Sequence, residues 1–130
     1  MVSFSSKHGI VRKTPAELYM GFADMRNFIA MLPEDKRGDI TADYDTLNAT
    51  VQGFSIGVKV KERIPYSKIV LVDNGAPFGF SVNFNFEPSD AHFTDFSIDV
   101  EADLNFMMKT LLAPKIREAL DKVVDTLAQM

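Results

Sequence analysis

The sequence predicts an α+β fold in which a seven-stranded, curved antiparallel sheet wraps around one long C-terminal helix. Three observations predict this fold. Apolar residues alternate with polar ones along most of the first hundred residues, turn signals divide that stretch into short segments, and the apolar period changes from 2 to 3.6 after Leu104. A helix with a broad apolar side must bury it, and the preceding strands offer the surface.

The first strand and two short helices precede the remaining strands. Residues 2–10 alternate imperfectly and predict the first strand. Thr14–Glu17 forms a capping box, and Pro15 suits the first position of a helix. Asp24 is predicted to cap a second short helix, which ends before Pro33. Both helices therefore lie between strands one and two.

Six strand segments follow, each bounded by turn residues. Their predicted ranges are 40–44, 47–51, 56–64, 69–72, 78–86 and 96–102. In the third of them, strict alternation places Glu62 with Val60 on the apolar face and Lys61 with Arg63 on the polar face. Asn74–Gly75 is a strong hairpin signal. Short turns between consecutive strands predict an antiparallel meander with one solvated face.

The last segment predicts a single long helix that begins near Asn105. About 24 residues at 1.5 Å each give ~36 Å, which matches the ~33 Å of the longest strands. The helix can therefore lie along the sheet, and a curved sheet leaves a space beneath it that the short helices close at one end. Pro114 is predicted to kink the helix, because it lacks a backbone donor.

The composition is that of an ordinary globular protein and excludes several kinds of site. The net charge of −4 disfavours nucleic acid as a partner, and the absence of cysteine excludes disulfides, thiolate chemistry and Cys-based zinc sites. The N-terminus lacks the apolar stretch of a signal peptide, and no window has the ~18–20 apolar residues of a membrane span. We therefore predict a single cytoplasmic domain over residues 1–130.

Four stretches of the sequence resemble a known superfamily. They are Thr14–Tyr19, Asp24–Phe28, Leu32–Lys36 and Glu62–Pro65. Together with the order of elements, they resemble the helix-grip fold of START domains, polyketide cyclases, aromatases and birch-pollen-allergen relatives. They are most similar to its small single-domain bacterial branch, the SRPBCC proteins. The resemblance implies a cavity under the long helix that holds a hydrophobic or amphipathic ligand.

The inward-facing residues of the predicted fold are the candidates for lining that cavity. They are Phe28, Met31, Leu32, Tyr44, Val58, Val60, Glu62, Phe80, Phe84, Phe96, Met107, Met108 and Leu111. The phenylalanines and methionines fit two interpretations, because a binding wall and a filled core have the same sequence pattern. With 11 phenylalanines in the chain, a filled interior is a serious alternative to ligand binding.

Few residues offer catalytic chemistry. An inward Glu62 would be an acid or base, or would hold a polar ligand group, whereas at the wet end of its strand it would pair with a cation. Tyr44 and His8 are weaker candidates, and His92 is expected to be exposed. The sequence contains no phosphate-binding loop, nucleophile elbow or cluster of metal ligands. We predict no catalytic residues, no metal and no cofactor.

Three functions follow in order of preference. The first is a carrier of a hydrophobic or lipid-like small molecule. The second is a protein-interaction module with a filled core, either co-chaperone-like or homodimeric. The third is an enzyme of the cyclase or aromatase kind, which would need Glu62, Tyr44 or His8 to face the cavity.

Overall fold

A computed structural model describes residues 1–30, 40–51, 54–75 and 78–129. The strands in this part of the chain are β1 (Val2–Ser5), β2 (Gly9–Val11), β3 (Ile40–Ala42), β4 (Thr46–Val51), β5 (Phe54–Ile64), β6 (Lys68–Asp73), β7 (Phe80–Pro88) and β8 (Thr94–Ala102). The α-helices are α1 (Pro15–Ala23), α2 (Arg26–Ala30) and α3 (Phe106–Ala128), and a 3-10 helix covers Asp90–His92.

One antiparallel sheet contains all the strands of the described segments. Its order is β1-β8-β7-β6-β5-β4-β3, and β2 pairs with β8 in line with β1. The predicted meander of β3 to β8 is therefore confirmed, with each strand beside its neighbour in sequence. The closing pair β1–β8 brings the N-terminus beside the strand that leads into the long helix.

The first predicted strand is divided in two, so the described residues form eight strands instead of seven. Between the pairs Ser5↔Asp99 and Gly9↔Phe96, the N-terminal segment has one more residue than β8. At this interruption the Ser6 hydroxyl accepts from the Ile98 N–H, and the Ser6 N–H donates to the Ile98 carbonyl, each at 2.8 Å. A single extra residue thus interrupts the alternation that sequence periodicity assumes.

The caps predicted at Thr14 and Asp24 form, and Asn105 caps the long helix where it was predicted to begin. In α1 the Thr14 N–H donates to the Glu17 carboxylate at 3.3 Å, and the Glu17 N–H donates to the Thr14 hydroxyl at 3.2 Å. The Asp24 carboxylate accepts from the Arg26 N–H at 3.0 Å at the start of α2. In α3, Asn105 Oδ1 accepts from the Met108 N–H at 2.8 Å. These bonds pair donors that the first turn of a helix leaves without partners.

An aromatic cluster fills the interior beneath α1. The ring of Phe22 lies 5.0 Å from Phe84, 5.2 Å from Phe28, 5.3 Å from Phe96 and 5.7 Å from Phe86, measured between centroids. Phe96 and Phe86 are almost completely buried. Close-packed rings of this kind leave little room for a ligand, so the filled-core interpretation holds at this end of the sheet.

The long helix α3 is anchored at its C-terminal half. It packs mainly on β1, β2 and β8, and Val124 and Leu127 are buried there. Gly9 of β2 permits this approach, since a Cβ atom at Gly9 would lie 2.5 Å from Cγ1 of Val124. The Lys7 ammonium also pairs with Asp125, and the Lys7 N–H donates to Asp121 at 2.8 Å.

Gly9→Ala is expected to destabilise the protein by about 1–3 kcal/mol, because the added methyl must displace a fully buried valine. Gly79→Ala is the matched control and should change stability by less than about 0.5 kcal/mol. The nearest atom to a Cβ at Gly79 is 3.9 Å away. Urea unfolding measures both. The double variant Gly9→Ala/Val124→Ala should lose less free energy of unfolding than the sum of the two single variants. Equal losses of stability in Gly9→Ala and Gly79→Ala would contradict the close approach of Gly9 to Val124.

Candidate functional site

A β-bulge in β5 decides which of its side chains face the interior. Val60 pairs with Leu71 and Glu62 pairs with Val70, so Lys61 is the extra residue. Beyond the bulge the alternation is reversed, and Arg63 lies opposite the fully buried Ile69. The inward position that strict alternation gives Glu62 as a lining residue is therefore wrong, and Glu62 is exposed, as the alternative at the wet end of the strand requires. Periodicity counts residues and does not register an inserted one.

Arg63 takes the inward position and joins three parts of the chain. Its Nε donates to the Ala23 carbonyl at 2.9 Å at the end of α1, and one terminal nitrogen donates to the Tyr44 carbonyl at 2.8 Å. The other pairs with the Asp45 carboxylate at 2.8 Å. With its side chain 19% exposed and its donors directed at protein acceptors, Arg63 is a structural residue.

Tyr44 belongs to the same cluster and lies at the rim. Its side chain is 48% exposed, and the Arg63 guanidinium lies 4.0 Å from its ring centroid. The Met25 N–H donates to the Tyr44 carbonyl at 3.2 Å. The tyrosine therefore covers the arginine from outside, through a cation–π contact, and does not line an internal cavity.

Adjacent residues provide a test of the bulge. Arg63→Ala should destabilise the protein by about 2–3 kcal/mol, because it removes the guanidinium that donates to the Ala23 carbonyl and to Asp45, and one of the two donors to the Tyr44 carbonyl. Glu62→Ala, at the neighbouring exposed position, should change stability by less than about 0.5 kcal/mol. Urea unfolding of both variants distinguishes the registers, since uninterrupted alternation would make Glu62→Ala the more costly change.

The remaining predicted lining residues fall into three groups. Phe28, Phe84 and Phe96 belong to the packed aromatic cluster. Half-buried positions are held by Val58, Val60, Phe80 and Met108. Met107 and Leu111 are 71% and 65% exposed, so their predicted place in an enclosed cavity is wrong. Met31 and Leu32 lie outside the described residues.

The half-buried positions on the sheet form one continuous surface. Strand pairing places Leu47 beside Val58, Val60 beside Leu71, and Leu71 beside Val82, all on the inner face. We call this group, with Phe80, the inner apolar surface: Leu47, Val58, Val60, Phe80 and Val82, together with the buried Leu71. Phe80 pairs with Ala102, just before α3 begins. The exposed first turns of α3 therefore start at one end of this surface.

A separate pocket lies between α1 and the C-terminal end of α3. Its volume is about 250 Å³. Leu18, Phe22 and Leu127 give it an apolar floor, while Lys13, Glu17 and Asn27 supply polar groups and Gly21 forms part of the wall. Sequence pattern does not predict this pocket, because its residues come from three helical segments and a loop. The one available signal was a glycine inside a helix, where alanine is more stable.

The charged groups around these surfaces are held by local hydrogen bonds. The N–H and hydroxyl of Thr14 keep the pKa of Glu17 below its usual range, with a smaller contribution from the charge of Lys13. The Arg26 guanidinium likewise lowers the pKa of Asp24, and Thr46 lowers that of Asp43. Both carboxylates accept backbone N–H groups at turns. These are the shifts expected of capping carboxylates, which favour the ionised form.

Neither histidine lies in a catalytic arrangement. His8 is exposed and pairs with Asp95 at 2.8 Å on the sheet surface, and His92 is exposed in the 3-10 helix. Over residues 1–30, 40–51, 54–75 and 78–129, no three His, Asp or Glu side chains group closely enough to hold a metal ion. In the same ranges no helix is long and apolar enough to cross a membrane.

Comparison with known proteins shows which solved structures share this architecture. No family model and no curated protein matches the sequence. Among solved structures, a START superfamily protein from Mycobacterium smegmatis has a TM-score of 0.64 at 17% identity, covering 96% of this chain and 98% of the other. This chain has a START-like, helix-grip fold. Because the identity is low, the similarity concerns the fold alone.

Two further structures share the START-like fold. The Mll3558 protein from Rhizobium loti has a TM-score of 0.73 at 12% identity, with 98% of this chain and 95% of that one covered. The Aha1 dimer from Colwellia psychrerythraea has a TM-score of 0.59 at 15% identity, with 93% and 97% covered. The family resemblance of the sequence is thus confirmed at the level of architecture.

Proposed function

We propose that this START-like protein binds a hydrophobic or amphipathic small molecule on the inner apolar surface. The observation that carries the proposal is the incomplete burial of that surface. Val58, Val60 and Val82 pack against the core yet remain half-buried, whereas Ile69 and Phe96 beside the core helices are fully buried. Apolar side chains that remain in contact with water on a concave face are typical of a ligand site.

The energetics favour an apolar ligand. Removing apolar surface from water stabilises a complex by roughly 25 cal/mol per Å², so covering ~200 Å² would contribute about 5 kcal/mol before the cost of association. Polar groups are few on this face: Glu62 points outward, Arg63 is occupied by Ala23, Tyr44 and Asp45, and the Asp73 carboxylate beside Val58 accepts from the Phe80 N–H. Shape and apolar contact would therefore determine the choice of ligand.

The three candidate catalytic side chains do not face the proposed binding surface, which disfavours the enzyme hypothesis. The Glu62, Tyr44 and His8 side chains are all exposed, and each lies outside the inner apolar surface. A general acid or base must lie within hydrogen-bonding reach of the reacting group. Binding without chemical conversion is therefore the function that we propose.

A pair of valine-to-threonine variants tests the binding face. Val60 and Val70 are both half-buried, but Val60 lies on the inner face and Val70 pairs with the exposed Glu62 on the outer face. Val60→Thr should weaken binding of a fatty acid or aromatic probe about tenfold, which corresponds to ~1.4 kcal/mol, because the ligand would cover a hydroxyl without a partner. Val70→Thr should leave affinity unchanged.

The measurement combines thermal shift with fluorescence titration of the same probe. Binding should raise the melting temperature of the wild type and of Val70→Thr. If no member of a broad apolar library stabilises the wild type, or if both variants bind equally, the proposal fails.

A second candidate function is self-association through the N-terminal half of α3. Phe106, Met107 and Leu111 are 85%, 71% and 65% exposed, which is unusual for large apolar side chains on one helix. The Aha1 structure with the same fold is a dimer. A dimer would bury these side chains without occupying the sheet interior.

Leu111→Gln tests self-association, with Met20→Gln as its control. Met20 of α1 is 64% exposed, close to the 65% of Leu111. Sedimentation across a concentration series should show dimers for the wild type and Met20→Gln, and weaker association for Leu111→Gln. A wild type that stays monomeric at all concentrations would eliminate this function and leave the ligand proposal unaffected.

A further inference from the structure

We infer that the pocket between α1 and the C-terminal end of α3 is a second binding site, which accepts a small, neutral amphipathic molecule. It goes beyond the proposed function, because none of its lining residues belongs to the inner apolar surface. Phe22 lies between the pocket and the aromatic cluster, since it lines the pocket and also contacts Phe84 and Phe96 in the core.

The size of the pocket limits the ligand. Its volume of about 250 Å³ falls below the ~300–1,000 Å³ typical of sites for drug-sized molecules. Leu18, Phe22 and Leu127 are themselves almost completely buried, so the floor is a fixed apolar surface. A short alkyl chain or one ring would cover this floor.

Gly21 gives the pocket part of its width. A Cβ atom at Gly21 would have no neighbour within 4 Å, so no close contact in the fold requires glycine there. Glycine inside a helix is less stable than alanine. Gly21 is exposed and lines the pocket, so the missing side chain leaves space that a ligand can use.

The polar groups favour a head group without net charge. Lys13, which precedes the cap of α1, and Glu17 in its first turn carry opposite charges, so a charged head would be attracted by one and repelled by the other. A hydroxyl group can donate to the Glu17 carboxylate and accept from the Lys13 ammonium. Glu17 is already fixed in place by its bonds to Thr14, which preorganises this end of the site.

The test compares three six-carbon probes: 1-hexanol, hexylamine and hexanoate. We expect saturable NMR shifts of the Gly21 and Leu127 amides with hexanol, at lower concentrations than with either charged probe. Gly21→Leu should weaken hexanol binding at least tenfold. Ala16→Leu adds the same side chain to an exposed position of α1 that does not line the pocket, and it should bind hexanol as the wild type does.

Gly21→Ala is a second variant, which keeps the test valid if Gly21→Leu fails to fold. It should raise the melting temperature, because alanine favours the helix, and should still weaken hexanol binding measurably.

Wild-type affinity in Gly21→Leu, or the absence of shifts in α1 and α3 with hexanol, would overturn the site. Tighter binding of a charged probe would overturn the neutral ligand class. Val60→Thr should not alter hexanol binding, so failure here is distinguishable from failure at the inner apolar surface.

Discussion

The bulge at Lys61 is the constraint that organises the sheet interior. One inserted residue turns Arg63 inward, opposite Ile69, where its three donor contacts tie β5 to the end of α1 and to the turn between β3 and β4. Without the insertion a carboxylate would occupy the apolar face, and burying an unpaired carboxylate is costly. The bulge therefore has two effects: it removes Glu62 from the interior, and it places Arg63 where it joins β5 to the end of α1.

The inner face of the sheet has two regions that differ in how completely their side chains are buried. Beneath α1, the rings around Phe22 are packed on one another and leave little room between them for a ligand. Farther along the inner face, Val58, Val60 and Val82 are incompletely covered, because α3 packs mainly on β1, β2 and β8. The filled core and the ligand site that we propose, which the sequence presents as alternatives, thus lie in different regions of the same sheet. The first region is buried, and the second keeps apolar side chains partly in contact with water.

The sequence predicted what depends on local pattern and missed what depends on pairing. The capping box at Thr14, the cap at Asp24 and the order of strands follow from neighbouring residues, and all are present. The orientation of Glu62 depended on an unbroken register, which periodicity cannot verify. Leu111 was predicted to line a cavity because it is apolar at helical spacing; that spacing identifies an apolar side but not the surface that covers it.

The two halves of α3 differ in their attachment. Gly9 against Val124 and the contacts of Lys7 hold the C-terminal half on the N-terminal strands. Before Pro114 the helix exposes Phe106, Met107 and Leu111. A proline inside a helix removes one backbone hydrogen bond, so the two halves are less tightly coupled than in an uninterrupted helix. A ligand or a second copy that covers the N-terminal half would therefore gain apolar contact without disturbing the buried anchor, which reconciles an exposed apolar helix with a stable fold.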